Sequence, residues 1–558
     1  MDRFRPCLAG LIWLALGSIA IADTYYVDVN AAGGGDGSQL APYQTIQAAI
    51  NAASTGDTIE IAAGSYQQGQ LTCSKGLTLR GAGSSATILD GDDTNRILYA
   101  DAISGVLTIE AMTLTNGRSS VGQGGGLYLR NGTVTIQDCV ISNHTAEDSD
   151  SDATGGAILA SQVNLTLTRC VISGCSVSAP GGIDGFAHGG ALYCYEGTTS
   201  LEDCELTGNT STWNGGAIEG NNTTLTVSGC TFQDNQATGF AGGALELINC
   251  GGAIITRARF LGNQANAESG AVDLYSSSAT IENCLFAGNL TTLNTAGVAV
   301  TTDSGATATL RHCTIAGHSG AAAVLVRSGT SLDIVNSILW DNSSGAFSSA
   351  GTLTVTYSDV EGGQAGTGNI DSDPLFVDSA NGDYRLGTGS PCIDAGTTIS
   401  DPPETDLEGD PRNVDGDSDS TATPDLGCDE FDLLVSMSGT RETGQTVHFD
   451  AMAPPAFEDH FVQIFFSLTN GSDSGGLTVP NSGGQKLMLD VDALFSEMLA
   501  LSAYFRVQLD ASGSGSTDDV VIPAGAPTGV SLYFAGLSWD LGAPGAFDFT
   551  PTQEIVLQ

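Results

Sequence analysis

The stretch that decides the fold runs from Gly215 to Ala237 and reads GGAIEGNNTTLTVSGCTFQDNQA. It contains a double glycine, a segment in which polar and apolar residues alternate, a cysteine and a Phe-x-x-Asn tetrapeptide. Near-copies of it occur before and after along the chain. The question is whether this pattern belongs to a catalytic site, to a metal site or only to the fold.

The copies recur at a nearly constant interval. Aligned on the residue after the second glycine, they place in one position Leu127, Ala157, Ala191, Ala217, Ala244, Ala271, Val298 and Val324. The intervals are 30, 34, 26, 27, 27, 27 and 26 residues. Each copy contains two or three short alternating strands separated by Gly, Asn, Ser or Thr turns. A propeller blade needs about 40–45 residues, so the repeat predicts the stacked coils of a parallel β-helix.

Two further positions of the repeat have a structural explanation. One slot holds Cys139, Cys170, Cys204, Cys230, Cys284 and Cys313, with Ala258 and Ser337 in two other copies. Because free cysteine packs as a small hydrophobe, we favour a buried thiol ladder over the disulfides that are usual in exported proteins. Five residues later come His144, Cys175, Asn209, Asn235, Asn263, Asn289, His318 and Asn342. This position predicts an asparagine ladder, in which each amide bonds to the coils above and below.

The N-terminus has the composition of an export signal. Arg3 and Arg5 precede an apolar run from Leu8 to Ile21, and Ala20-Ile21-Ala22 offers a small-x-small cleavage site. A membrane anchor is the alternative, but a spanning helix needs about 20 residues and this apolar run is shorter. We therefore expect residues 1–22 to be a cleaved signal peptide.

The chain is strongly acidic. It has 17 Lys and Arg against 63 Asp and Glu, which gives a net charge of −46. Such a surface repels phosphate backbones, so nucleic acid is excluded as a partner. Solubility is the simplest explanation of the charge, and affinity for calcium is the alternative. Hydrophobic residues make up 41% of the chain, which is enough to build a core.

Residues 23–62 are predicted to cap the coils. Ile46, Ala49, Ile50 and Ala53 share one face of a helix over 43–53. A helix at the end of a solenoid protects the edge strand from pairing with other chains. The surrounding PYQTIQAAINAASTGDTIEIAAGSY resembles the opening segment of pectate-lyase-like, right-handed β-helix proteins. That segment is common to lyases, esterases and non-enzymes, so the resemblance implies the fold and no reaction.

Two other resemblances concern the rest of the chain. The double-glycine repeats with FQDN, FLGN and FAGN resemble those of chlamydial polymorphic outer-membrane proteins, which are surface adhesins and autotransporters. The pieces DPLFVD, DYRL, SPCIDAG, DLEGDPR and DLGCDE, within 366–432, resemble the choice-of-anchor Q module of bacterial surface proteins. Residues 433–558 alternate in the manner of a β-sandwich and are too few for an autotransporter barrel. We therefore predict an all-β chain: a right-handed parallel β-helix over 23–365, this module, and a C-terminal sandwich.

Two long loops interrupt the regular coils, at 144–156 and 176–190, and are expected to lie side by side. Extra residues in a coil build the walls of a groove. The weak catalytic candidates there are Glu196, His188 and Asp184, and the candidates for stacking on a sugar are Tyr193, Tyr195 and Trp213. The alternative is a solvated acidic loop above surface aromatic residues.

Alternating aspartates suggest calcium, which prefers several oxygen ligands. The stronger group is Asp415, Asp417, Asp419 and Asp425, and the weaker group is Asp148, Asp150 and Asp152. The run at 415–425 lacks the glycine that follows the third aspartate of an EF-hand and the glutamate at its twelfth position, so an EF-hand is not expected there. Cys392 and Cys428 are the last two cysteines of the chain, and a disulfide between them is plausible in an oxidising compartment.

The familiar catalytic sets of this fold are absent from the coils. There is no Asn-Thr-Asp, Asp-Asp or Gly-His-Gly set, and Gln67 and Gln68 stand where a pectin esterase would have an acid. The sequence therefore predicts a secreted or cell-surface bacterial protein that is structural, adhesive or glycan-binding and has no catalytic activity. Its partner would be a polysaccharide or the glycan of a neighbouring or host cell, at the outer membrane or in the extracellular matrix. A polysaccharide lyase or glycoside hydrolase, with a groove at the two loops, is the alternative.

Overall fold

The computed structural model describes residues 22–431 except 181–184, 294–296, 401, 415 and 417–421, together with short strands beyond residue 432. Contacts divide the chain into two compact units. The first comprises residues up to 254 with 261–278 and 290–293, and the second comprises 255–260, 279–289 and the residues from 294 onward. The predicted signal peptide lies outside the described residues, apart from Ala22, and stays a prediction.

The first unit contains one short helix, Ile46–Ala52, within the stretch predicted to be helical. The Thr45 side chain accepts a hydrogen bond from the Ala48 amide and caps its N-terminus. Ile46, Ala49 and Ile50 are buried, as the spacing predicts. The capping role of residues 23–62 stays a prediction.

Parallel strands from successive coils form the sheets of the first unit. The largest sheet holds Thr24–Val27, Thr58–Ile61, Leu71–Lys75, Thr78–Gly81, Leu98–Ser104, Val106–Glu110, Leu127–Gln137, Ile158–Thr168, Leu192–Glu202, Ile218–Asn221, Thr224–Ser228, Leu245–Ile248 and Val272–Tyr275. The second holds Gly64–Tyr66, Thr87–Asp90, Thr113–Thr115, Val140–Ser142, Val171–Ser173, Glu205–Thr207 and Thr231–Gln233. The third holds Arg118–Ser119, Thr145–Glu147, Ser176–Ser178, Thr210–Ser211, Gln236–Ala237, Gln264–Ala265 and Leu290–Thr291. Ala153–Thr154 pairs with Ala187–His188.

The second unit repeats this arrangement. One parallel sheet holds Gly297–Asp303, Thr307–Arg311, Ala322–Val326, Ser331–Val335, Phe347–Ser349 and Thr352–Thr356. Another holds Leu285–Ala287, Thr314–Ala316, Ile338–Trp340 and Asp359–Val360. Three strands contain residues of both units, namely Ala253–Thr256, Arg259–Leu261 and Ser278–Glu282. An antiparallel pair, Phe376–Asp378 and Asp383–Leu386, flanks the 3-10 turn Ser379–Asn381.

Beyond residue 432 the described strands pair antiparallel. Val435–Ser438 pairs with His448–Met452, which also pairs with Ser514–Gly515. Phe461–Gln463 pairs with Arg506–Gln508, and Ser531–Phe534 pairs with Leu537–Asp540. The β-sandwich over 433–558 stays a prediction.

The coils stack in register, and the interior is built from columns of equivalent residues. The column of Ile218 contains the fully buried Leu192 before it and Leu245 after it. The predicted alignment holds from Ala157 onward in the first unit, but Leu127 lies opposite Ile158, so the first copy is displaced by one residue. Its third glycine shifts the pattern. In the second unit Val324 lies opposite Val300 rather than Val298, because the strand is irregular between Gly297 and Val300.

The ladder of asparagines is confirmed. Asn235 Nδ2 donates to Asn263 Oδ1 at 2.9 Å and to the Leu206 carbonyl at 2.8 Å, while Asn209 Nδ2 donates to Asn235 Oδ1 at 3.0 Å. In the second unit the Asn289 amide donates to His318 Nδ1 at 3.1 Å. The ladder satisfies backbone groups that no strand pairs.

The cysteine slot is a column of free, buried thiols. The Cys170 amide donates to Cys204 Sγ, and the Cys204 amide donates to Cys230 Sγ, both at 3.4 Å. Ser337 takes the equivalent place next to Cys313 and accepts a bond from its amide at 3.1 Å.

Residues 366–431 pack on the coils of the second unit. The buried Arg412 donates to Asn283 Oδ1 at 2.9 Å and lies 3.2 Å from Glu430 Oε2. Asn336 exchanges two hydrogen bonds with Thr397, at 2.7 and 2.9 Å. Arginine and amide side chains therefore hold this segment against the corners of the coils.

The predicted disulfide between Cys392 and Cys428 is not formed, since both residues are free and buried. The Cys392 thiol donates to Asp359 Oδ2 at 3.2 Å, whereas the Cys428 amide donates to Thr314 Oγ1 at 3.1 Å. The two cysteines thus fill separate places against the coils.

Within the described part of the chain, no helix has both the length and the apolar composition that a membrane span requires.

Candidate functional site

The two long loops lie side by side, as the sequence predicts. Ala153 and Thr154 of the first loop lie opposite Ala187 and His188 of the second in a short parallel pairing. The Asp152 carboxylate accepts a hydrogen bond from the Phe186 amide at 3.0 Å. Asp184 lies outside the described residues.

Three of the predicted residues come together, namely His188, Tyr193 and Trp213. The ring centroids of His188 and Tyr193 are 5.7 Å apart. Phe186 links His188 to Trp213, at 6.3 Å from the former and 4.8 Å from the latter. The second loop and the strand after it therefore build one aromatic cluster.

The other two described candidates, Tyr195 and Glu196, lie farther along the same strand as Tyr193. Tyr195 stands two residues along the strand from Tyr193 and lies opposite Asn221. Glu196 has a left-handed backbone with φ 54° and accepts a hydrogen bond from Gln162 Nε2 at 2.8 Å. Its carboxylate thus bonds to the neighbouring turn rather than to His188.

The partner of His188 is a residue that the sequence analysis missed. His188 Nδ1 lies 2.7 Å from Glu219 Oε2, and the Glu219 side chain is only 1% exposed. Burial works against a charged imidazole, but the hydrogen bond and charge of Glu219, helped by Asp152, raise the pKa of His188 above its ordinary 6.5. The other oxygen, Glu219 Oε1, has no hydrogen-bond partner in the described part of the chain. Glu219 is thus a buried carboxylate of which one oxygen is hydrogen-bonded to His188 and the other could accept a bond from a ligand.

Glu219 begins a row of three acids on consecutive coils, which we name the acidic row. Glu219 lies opposite Glu246, and Glu246 lies opposite Asp273. All three are buried, with at most 3% of each residue exposed. Neighbouring strands are about 4.8 Å apart, so the row extends over two strand spacings. Tyr193 lies opposite Glu219 on the preceding coil.

Strand alternation places this row on the outer side of the sheet. Ile218 packs in the column of core leucines. Because successive residues of a strand point to opposite faces, Glu219 points away from the core. Burial first, and then the charge of Glu219, raise the pKa of Tyr193. The site is therefore a row of buried acids on the outer side of the sheet.

The signal for the acidic row is visible in the repeat alignment. Each acid stands two places after an aligned alanine, in GGAIE, GGALE and SGAVD. A search for acids that are adjacent within one coil does not find them, because the stacking of coils joins residues 27 positions apart. Comparing the copies column by column would have found them.

Beside the acidic row lies a second row, of aromatic side chains on three consecutive coils, which we name the aromatic row: Phe186, Trp213 and Phe240. The rings of Trp213 and Phe240 are stacked, with centroids 5.7 Å apart and planes inclined by 14°. Phe240 is 40% exposed. The row therefore presents an apolar surface to solvent next to the His188–Glu219 pair.

In each of the two predicted calcium groups, one described acid accepts hydrogen bonds from backbone amides nearby. Asp148 accepts bonds from the amides of Asp150 and Ser151. Asp425 accepts bonds from the amides of Asp394 and Phe431. Asp415, Asp417 and Asp419 lie outside the described residues, so calcium binding stays a prediction.

Another group of acids has the spacing of metal ligands. Carboxylate oxygens of Asp406, Glu408 and Asp429 lie within 4.8 Å of one another. Asp406 already accepts three backbone amides on one oxygen, and Glu408 pairs with Arg259 at 2.9 Å. Burial raises the pKa of Asp429 to about 8. Hydrogen bonds and an ion pair within the protein therefore already engage the carboxylates of Asp406 and Glu408.

Comparison with known protein families finds a match over two overlapping ranges of the chain. A family profile described as the right-handed beta helix region matches residues 97–244 and 217–378. No curated protein matches the chain.

Several solved structures align with the chain at low similarity. Pectate lyase Pel9A is 15% identical, with 74% of this chain and 98% of that chain covered and a TM-score of 0.41. The catalytic unit of the GH87 alpha-1,3-glucanase from Streptomyces thermodiastaticus is 15% identical, with coverages of 64% and 70% and a TM-score of 0.38. The A-module of the Azotobacter vinelandii mannuronan C-5 epimerase AlgE6 is 15% identical, with coverages of 62% and 100% and a TM-score of 0.31. Likeness at this level says nothing about the activity or the substrate of this chain.

Proposed function

This chain belongs to the right-handed β-helix family, and from that premise we propose that it is an exported polysaccharide-active enzyme that cleaves glycosidic bonds at the acidic row. The observation that carries the proposal is the hydrogen bond from His188 to Glu219, at one end of three buried carboxylic acids on neighbouring coils.

The row has the composition that glycoside cleavage needs. One carboxylic acid protonates the leaving oxygen, and a second carboxylate attacks the sugar or activates water. Glu219 and Glu246 are one strand spacing apart, about 4.8 Å, close to the about 5–5.5 Å of retaining enzymes. Glu219 and Asp273 are two spacings apart, close to the upper end of the about 6.5–9.5 Å of inverting enzymes.

The surroundings suggest how the roles divide. The hydrogen bond from His188 orients the Glu219 carboxylate, which suits Glu219 to the role of nucleophile or base. Glu246 is then the acid that gives its proton to the leaving oxygen and later takes one from water.

The aromatic row supports a sugar as the ligand. Trp213 and Phe240 offer an apolar surface, and Tyr193 adds a phenol beside His188 and opposite Glu219. Carbohydrate sites combine aromatic surfaces with a few polar groups that fix orientation.

The burial of the acids favours a second candidate, in which the protein binds a glycan without cleaving it. Glu219 is fully buried, whereas Phe240 is exposed. On this alternative the aromatic row holds the glycan, and the His188–Glu219 pair only stabilises the coils.

The test is release of reducing sugar by the full chain from a panel of polysaccharides, with and without added calcium. We expect Glu219→Gln and Glu246→Gln to lower release at least about 100-fold while binding persists. Glu202→Gln, a change at an exposed acid at the end of the Tyr193 strand, is the matched control and should leave release unchanged. Binding across the panel without turnover, lost in Trp213→Ala, would reject the enzyme and favour the second candidate.

A further inference from the structure

We infer that the glycan accepted by this site carries no acidic groups, so that it is neutral or amino-bearing rather than a polyuronate. The inference rests on the proposed function and narrows it to a class of substrate. It comes from the positive side chains of the first unit, whose hydrogen-bonding groups are already engaged within the protein.

Six lysines and arginines are described in the first unit. They are Lys75, Arg80, Arg96, Arg118, Arg130 and Arg169. Four of them form ion pairs: Arg80 with Glu60 and Glu110, Arg118 with Glu147, Arg130 with Asp101 and Arg169 with Asp138. Their charges are therefore balanced by the protein's own carboxylates.

The remaining two are satisfied by backbone and aromatic groups. Lys75 donates to the carbonyls of Ile50, Asn51 and Ala53, at 2.6–3.2 Å. Arg96 donates to the carbonyls of Gln123 and Gly124 and lies over the ring of Tyr128.

Arg96 is also distant from the acidic row along the solenoid. It precedes the strand Leu98–Ser104, which is four coils before the strand Ile218–Asn221. Four strand spacings amount to about 19 Å, beyond the about 8 Å over which exposed charges act at physiological salt.

The site itself is negative. Three carboxylic acids face outward from neighbouring strands, and Asp152 is near enough to act on the His188 charge. His188, a cationic group at the row, is already bonded to Glu219. A sugar acid placed there would meet like charge, with no side-chain cation in the described part of this unit left to neutralise it. A neutral sugar avoids this repulsion, and an amino sugar is attracted.

The test compares three polymers of similar length on the full chain at low salt, with a chelator present. They are a neutral glucan, a glucosamine polymer and a uronate polymer. We expect binding or cleavage of the neutral or amino polymer to exceed that of the uronate polymer at least tenfold. Equal or better use of the uronate polymer would overturn the inference and leave the proposed function standing. If none of the three is bound or cleaved, both the proposed function and the inference fail.

A charge-removing variant provides a second readout. Glu246→Gln should reduce the discrimination against the uronate polymer in binding several-fold, because it removes an acid from the row. Asp273→Asn serves the same purpose if the first variant does not fold, and Glu202→Gln is the control in which the ratio stays unchanged. An unchanged ratio in the row variants would overturn the inference.

Discussion

At the scale of single residues, His188 and Glu219 form the contact on which the candidate site depends. A histidine whose pKa is raised on folding binds its proton more tightly in the native state than in the unfolded chain. Its contribution to stability is complete below the ordinary pKa of 6.5 and is lost as the pH rises through the raised value. We predict that His188→Gln lowers the free energy of unfolding more at pH 5 than at pH 9, as measured by denaturant unfolding across that range.

A second histidine provides a control of opposite sign. Burial lowers the pKa of His144 to about 4 in the folded state. The wild-type protein should therefore lose stability at this position as the pH falls from 6.5 towards 4, because the unfolded chain then binds the extra proton. His144→Asn, which installs the residue that Asn209 and Asn235 provide in other coils, removes that loss. If the change in unfolding free energy followed the same pH dependence in both variants, the opposite pKa shifts of His188 and His144 would be contradicted.

A single glycine tests how tightly the coils meet at the corner. A Cβ at Gly216 would lie 2.0 Å from the carbonyl oxygen of Gly243 on the next coil, whereas a Cβ at Gly251 would meet nothing within 4 Å. We predict that Gly216→Ala costs at least about 1–3 kcal/mol, because overpacking forces the backbone to move. Gly251→Ala should stay within about 0.5 kcal/mol. Equal unfolding midpoints for the two variants would argue against crowding at the corner.

At the scale of elements, the segment 366–431 depends on one buried arginine. Arg412 donates to Asn283, to the carbonyl of Gly427 and to Glu430, and its side chain is 1% exposed. Removing one partner of a buried ion pair costs about 3–5 kcal/mol, because the other charge is left unpaired. We predict a loss of this size in Arg412→Ala, with faster hydrogen exchange along the strands Thr307–Arg311 and Ser331–Val335.

The control for that variant is an exposed ion pair in the same segment. Arg385 pairs with Asp383 and is 42% exposed. Exposed pairs contribute about 0–1 kcal/mol, so Arg385→Ala should leave both stability and exchange close to wild type. A similarly small effect of Arg412→Ala would mean that other contacts hold the segment.

At the scale of the whole molecule, burial of the thiols makes a prediction about chemistry. All twelve described cysteines are free and buried. Burial raises the pKa of Cys139 to about 11, and the thiolate is the reactive form. We predict that a thiol reagent labels the native protein slowly and the denatured protein, prepared without reductant, at every cysteine. If the denatured protein reacts at two cysteines fewer than expected, a disulfide is present after all. Cys392 and Cys428 would be the first pair to examine.

The stacking of coils also explains which features could be predicted. Asn235 and Cys230 contact the equivalent residues of neighbouring copies of the repeat. Aligning the copies was therefore enough to predict these contacts. His188, Tyr193 and Trp213 were found because the irregular loops stood out. Glu219 was missed because its partners are remote in sequence. Glu196 was included because it is next to Tyr195, although the turn directs it elsewhere.

The sequence by itself determined the coil. Its period, glycine corners, asparagine ladder and thiol column follow from local patterns that each copy repeats, and stacking identical positions satisfies them without further information. The tertiary structure alone decided which chemical groups meet. It set the register that brings Glu219 beside Glu246, the loop geometry that places His188 on Glu219, and the docking of Arg412 on Asn283. The physical reason is that two residues of neighbouring coils meet only if the number of residues between them completes one turn. That number includes the irregular loops, whose path the repeat pattern does not specify.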